Sequence, residues 1–327
     1  MTASAPSAPW RKVPESCADA TPLSRAAAAP GAGRHRRAVL AMVACTLLWS
    51  MAGVVTRHLH RHDGMVLVFW RSGFAAAALL LGLAVQRGTA QLARQLLGAP
   101  RLLWLSALCW CTMYTAFMLA LSLTTVAQTL VAVSLSPLFA AVLGLVFLRH
   151  PVRARTWLAI GAAMVGMAWM FWHNLHASRG PREVAGLLVG LLVPLGAAGN
   201  WVLLRHAGAR LPMQLAPMLG AASSALLVAG FAGSLAVDAH DVYLLGFLGV
   251  FQLALPGVFA VWAAARLAPA EVALLGLLEV VFGTLWAWLG AAETPSRSTL
   301  LGGSLILAAL LGHELLGRAD RGAKGPE

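Results

Sequence analysis

Two acids and one base stand inside long apolar runs of this chain of 327 residues, and they carry the first chemical expectations. Glu279 lies about ten residues into the run that opens near Pro269, roughly 15 Å deep by helical rise. Dehydration at that depth favours the neutral acid. Glu279 can therefore exchange a proton, pair with a cationic substrate, or hold two helices together as a protonated donor. Glu271 falls on nearly the same helical face but close to the end of the run, where an interfacial carboxylate is the favoured reading. Arg71 can grip a carboxylate with its planar guanidinium, or extend its stem to a membrane interface. A role in assembly is favoured for it over substrate selection.

Further candidates are uncharged. Pro137, Pro194 and Pro256 fall near the middle of apolar runs, where each removes a backbone donor and frees a carbonyl that must face protein or a wet cavity. Gln128, Ser134, Ser136, Asn200 and Gln252 are polar enough to line such a cavity or to join helices. Trp49, Tyr114, Trp201 and Trp262 can stack on a flat or cationic substrate, or simply pack. Two tempting motifs fail. His58, His60 and His62 alternate like a metal clip, but a solvated loop explains them and no acidic cluster stands near. His313-Glu314 opens like a zinc-protease helix, yet Gly317 occupies the place of the second histidine. No nucleotide loop of Walker type occurs, so neither a cofactor nor ATP-driven transport is expected.

The elements that must position these residues are set by composition. Hydrophobic residues make up 59% of the chain and charged residues 11%, with a mean hydropathy of +0.76. A soluble domain carries about 25% charged residues. The net charge of +12 is spread in short arginine clusters between apolar runs, which argues against nucleic acid as a partner. Three of the four cysteines (Cys45, Cys109 and Cys111) lie in apolar segments and Cys17 in the tail, so no disulfide framework is expected.

A bilayer core takes about 20 apolar residues to cross. On that rule the chain is all-α and integral to the membrane, with about ten helices. They fall near 38–56, 65–85, 102–122, 126–148, 156–173, 186–204, 213–235, 243–263, 269–289 and 299–316. A disordered basic tail (1–37) precedes them and a short cytoplasmic tail (317–327) follows. With the N-terminus inside, 18 of the 24 Lys and Arg residues fall on the cytoplasmic side and five outside. That bias places both ends in the cytoplasm.

Residues 38–173 and 186–316 read as two five-helix repeats. The pairs Arg57-His58 and Arg205-His206 end the first helix of each, and helices four and five overlie nine and ten at an offset of 143. Five spans per repeat turn the second copy upside down, a recurring plan of secondary transporters with the substrate site between the halves.

From 38 to 316 the chain resembles the EamA-type branch of the drug/metabolite transporter superfamily. The resemblance is carried by LLWSMAGVVTRHL around Trp49, FWRSGF around Arg71, SLSPLFAAVLGLVFLRHP after Ser134, and the block from EVALLGLLEVVFGTLW to the tenth helix. The chain departs from the family pattern at His150, where a Glu is usual, at Val280, where Pro often follows the Glu, and at Asn200-Trp201 in helix six. The resemblance implies a carrier of a small metabolite or drug-like compound in the inner membrane. Expected partners are that substrate, protons and membrane lipids, with a homodimer left open. An integral-membrane enzyme acting on lipid-linked substrates would need a surface cluster of His, Asp or Glu, and none has convincing spacing. A non-transporting helper or receptor on the same fold is the other rival.

The charge bias makes one direct prediction. In intact cells carrying a cysteine-free version, an impermeant thiol reagent should label Ala239→Cys and spare Arg321→Cys. The reverse pattern would overturn the orientation.

Overall fold

The computed structural model describes residues 32–124, 126–148, 154–174, 180–208 and 212–291, together with the isolated helical positions 301, 304–305, 308–309 and 312. Among them the only regular structure is helical. The helices are α1 (Ala32–Trp49), α2 (Met51–Thr56), α3 (Gly64–Arg87), α4 (Thr89–Leu97), α5 (Arg101–Leu123), α6 (Val126–Val133), α7 (Ser136–Leu148), α8 (Ala154–Asn174), α9 (Pro181–Gly190), α10 (Leu192–Ala207), α11 (Leu215–Ala229) and α12 (Ala239–Phe247). A π-helical stretch (Leu248–Ala254) then leads into α13 (Leu255–Ala264), α14 (Pro269–Gly276) and α15 (Leu278–Ala291).

Six helical stretches are long and apolar enough to cross a membrane: Gly33–Thr56, Gly64–Arg87, Arg101–Leu123, Val184–Ala207, Ala239–Ala264 and Pro269–Gly290. Ser136–Leu148, Thr156–Gly166 and Leu215–Ala229 are shorter apolar helices. These fall on the first nine expected spans, while most of the tenth, with His150, Glu293, His313 and Glu314 as well, lies outside the described residues. Large apolar side chains such as Leu81, Val85, Phe147, Leu158 and Leu226 stand exposed around the outside. A surface of that kind suits lipid and would aggregate in water.

Two expected boundaries shift, and one helix is new. The first helix starts at Ala32, so Arg34, Arg36 and Arg37 form its opening turns and are not part of the tail. Arginine is a good helix former, and nothing in that stretch breaks the helix. The seventh span ends at Ala229, six residues short of 235, in the glycine-bearing segment Gly230–Gly233. Helix α4 was not anticipated. It is too short to span, and Leu92 is buried beneath it while Leu97 is almost fully exposed. Gly88, at φ 79°, makes the left-handed turn from α3 into α4.

Four of the nine described spans are interrupted. α1 gives way to α2 at Ser50, α6 to α7 at Ser134-Leu135, α9 to α10 at Leu191, and α14 to α15 at Leu277. The offset of 143 carries the Ser134-Leu135 break onto the one at Leu277. Pro137, Pro194 and Pro256 each stand within the first three residues of a second half-helix, where a missing N–H costs least. Hydroxyls help close the breaks: Ser50 Oγ donates to the Leu47 carbonyl at 2.7 Å and Ser136 Oγ to that of Val133 at 2.6 Å.

The two halves interlock. α5 lies along α10, as α1 lies along α13. α11 packs on α5, as α3 packs on the π-helical stretch. α7 meets α10, as α15 meets α1 and α2, while α3 meets α11 and α7 meets α14 directly. Exchanging first-half spans for their second-half counterparts leaves this pattern unchanged.

Two glycines permit close approaches between the halves. A Cβ at Gly220 would sit 2.4 Å from the Trp110 Cβ, and one at Gly249 would sit 2.7 Å from the Arg71 carbonyl oxygen. At one end of the bundle the loops are tied as well. Trp70 Nε1 donates to the Leu235 carbonyl at 2.9 Å, and the backbone N–H groups of His60 and Arg61 donate to Asp241 at 2.9 and 2.8 Å.

Overpacking such contacts costs about 1–3 kcal/mol each. Gly220→Val and Gly249→Val should therefore each lower the melting temperature in detergent by several degrees. Gly73→Ala, at a position with open space, should leave it unchanged or slightly raised.

Candidate functional site

The breaks converge on one cavity. Trp49 beside the first break, Val133 and Ser136 beside the second, Val193 beside the third, Gln252 in the π-helical stretch, and Leu277 and Glu279 at the last all line it. In a membrane, irregular backbone is tolerated where it is buried in protein or lines a cavity, and these breaks lie beside one.

Its wall is aromatic. The Trp49 ring lies 6.5 Å from that of Trp110 and 6.3 Å from that of Trp201, and Trp110 meets Trp201 edge-on at 5.9 Å. Tyr114 follows Trp110 by one helical turn, with ring centroids 5.3 Å apart. The Tyr114 hydroxyl and the Trp110 indole N–H are buried without a hydrogen-bond partner among the described residues. Buried polar atoms of this kind ordinarily find one, so a bound polar group or water is the natural complement.

Arg71 is fully buried. Its Nη2 donates to the Tyr114 carbonyl at 2.8 Å and its Nη1 to Gln252 Oε1 at 3.3 Å, which leaves Nε unpartnered. Gln252 in turn donates to the Trp49 carbonyl at 3.3 Å. The chain from α3 through the π-helical stretch to α1 thus crosses from one half of the protein to the other. The expected alternative, Arg71 extending to the interface, is excluded by this burial. The wider π turn, which often marks functional positions, aims Gln252 at both partners. It directly precedes Pro256, whose missing N–H disturbs the helical ladder there.

Glu279, on the other half, faces the same cavity, and no described donor reaches its carboxylate. No ion pair between Glu279 and Arg71 occurs among the described residues, so a cationic and an acidic group share the cavity without neutralising each other in contact.

The structure therefore brings together Trp49, Arg71, Tyr114, Ser136, Trp201, Gln252 and Glu279. The remaining candidates go elsewhere. Pro137 is buried in the first turn of α7. Asn200 accepts from Ser106 Oγ at 2.6 Å and joins α10 to α5. Trp262 supports the Arg266 guanidinium 4.2 Å above its ring. Glu271 pairs with His35 at 3.2 Å, joining the start of α14 to that of α1. Trp110 was missed, although an aromatic residue one turn before Tyr114 shares its helical face. The small and aliphatic lining, such as Ala197 and Ala273, leaves no mark in a sequence.

Two comparisons bear on this architecture. The EamA-like transporter family matches residues 36–172 and 184–313, one match for each half. A solved crystal structure at 20% identity superposes with a TM-score of 0.68, covering 86% of this chain and 98% of its own, a likeness of fold. No curated relative matches the sequence.

Because Arg71 ties three spans together, its loss should be felt first in stability. Hydrogen bonds from a charged donor contribute about 1.5–3 kcal/mol each, and lysine lacks the planar fork that makes two at once. Arg71→Lys should accumulate to lower levels and melt several degrees below the parent protein. Unchanged melting together with lost ligand affinity would show that the guanidinium serves the ligand instead.

Proposed function

The chain belongs to the EamA-like transporter family, and from that premise we propose that it is a secondary carrier working by alternating access. Its cargo is a small metabolite or drug-like compound, its membrane a bacterial-type inner membrane, and both termini are cytoplasmic. The observation that carries this reading is the cavity between interlocked halves, flanked by every break in the described spans and lined by Arg71 and Glu279. Packing that survives exchange of the halves suits two inverted repeats rocking about such a site.

In this reading the indole and phenol rings hold the flat or apolar part of the cargo, and the buried donors take its polar end. Glu279 is the coupling group. A carrier needs a side chain that changes charge during its cycle, and a carboxyl at the wall of a partly wet cavity does so at low cost. Proton exchange at Glu279 would link substrate movement to the proton gradient.

Glu279→Gln keeps the shape and removes the charge change. In proteoliposomes it should fold and melt as the parent does, yet lose at least about tenfold in gradient-driven accumulation. Exchange of substrate for substrate should persist, because that step moves no proton. A Gln variant with the parent's rate and pH profile would place coupling elsewhere, and a Glu279→Leu variant that alone fails to fold would mark the residue as helix glue.

A further inference from the structure

The alternating histidines of the 58–62 segment have acidic company after all, supplied from far along the chain. His60 Nδ1 lies 2.6 Å from Asp238 Oδ2, across 178 residues of sequence. His240 adds a second imidazole, stacked on that of His60 with centroids 4.6 Å apart and planes at 18°. Asp241 adds a second carboxylate, 3.4 Å from His240 Nδ1. One donor atom from each of the four lies within 4.8 Å of every other. His58 and His62 stand apart: His58 Nδ1 instead contacts the Val54 carbonyl at 2.9 Å, and His62 is exposed on the loop.

We propose that His60, Asp238, His240 and Asp241 form a binding site for a divalent transition-metal ion of the zinc class, joining the loop between α2 and α3 to the start of α12. Two imidazole nitrogens and two carboxylate oxygens are the donor set that zinc takes in four-coordinate sites, at about 2.0–2.2 Å from the ion. Such bonds put neighbouring donors about 3.3 Å apart. The set must therefore contract by at most about 1.5 Å, and three of its members are exposed. The side chains of His60, Asp238 and His240 are 67%, 51% and 48% exposed.

Asp241 is the fixed member. It is 1% exposed, and its two oxygens accept from the backbone N–H groups of His60 and Arg61. Those bonds orient the carboxylate while leaving each oxygen a further lone pair, the usual support for a metal-bound carboxylate. Asp238 is oriented as well, since its Oδ1 caps α12 by accepting from the Asp241 N–H at 2.8 Å.

Charge balances too. Two carboxylates and two neutral imidazoles sum to minus two, which one divalent cation cancels. The neighbouring Arg61 turns its guanidinium aside, to the Ser234 carbonyl at 3.3 Å and towards Asp63 at 4.0 Å. Hard cations are disfavoured, because magnesium and calcium take oxygen ligands and leave imidazole unused.

The site joins the two halves at one end of the bundle, so an occupied site ties that end together. Because none of its ligands lines the central cavity, it stands or falls apart from the transport reading.

The test uses tag-free full-length protein in detergent, titrated with zinc chloride by calorimetry and with cobalt chloride followed in the visible spectrum. One ion per chain should bind with a dissociation constant of about 10 micromolar or tighter, and cobalt should give the absorption bands of a four-coordinate N/O site. His60→Ala combined with His240→Ala removes two exposed rings and should weaken binding at least 100-fold. Asp238→Asn should weaken it at least tenfold, and magnesium and calcium should not compete. Absence of saturable zinc binding overturns the proposal. So does zinc binding of parental strength by the double-alanine protein, provided that it elutes and melts as the parent does without metal.

Discussion

Hydrocarbon gives a backbone amide nothing to bond to, and the architecture follows from that constraint. Where a span runs unbroken, as in α3 and α5, the helix meets the requirement within itself. Where a span breaks, the freed groups must find protein or water, so breaks cannot be scattered over a lipid-facing surface. In this chain the residues beside them line a single cavity. The same requirement explains the serine hydroxyls that turn back onto carbonyls at Leu47 and Val133. It also explains why prolines sit at the openings of α7, α10 and α13 and not in their interiors.

Burial of Arg71 depends on this arrangement. A guanidinium at zero exposure, with no carboxylate beside it among the described residues, is expensive in any protein interior. Here two of its nitrogens reach oxygens exposed by the neighbouring spans, one of them the side chain that the π turn presents. The first and second halves are thus not separate units that happen to touch. Each places its first span against the other half, and the polar chain from Arg71 through Gln252 to Trp49 passes between them.

Much of this was legible in the residues. Apolar runs of span length and the arginine punctuation located nine spans, because a membrane leaves few ways to arrange such a chain. Gln252 and Glu279 stood out because a polar group in an apolar run must be accommodated by neighbours or by function. Depth was harder to read than presence. Arg71 lies near enough to a helix end for either an interfacial or a buried fate, and only the packing of α5 and the π-helical stretch over it decides the matter. Trp262 and Asn200 resembled Trp49 and Gln252 in type, but helix rotation turned one towards Arg266 and the other towards Ser106. His60 appeared to lack acidic partners because both lie roughly 180 residues away.

The exchange of first spans between halves has a consequence for biosynthesis. α1 packs chiefly against α13, α14 and α15, and the thiol of Cys45 meets the carbonyl of Pro256 across 211 residues of chain. At about 5–20 residues per second a ribosome takes roughly 10–40 seconds to make that stretch. For that interval α1 stands in the membrane without its final neighbours. Two hydroxyls of this span are suited to the wait: Thr46 in α1 and Ser50 just after it donate to carbonyls three residues back, at 2.8 and 2.7 Å. A span that must wait for its partners thus has these hydroxyls satisfied before those partners are made.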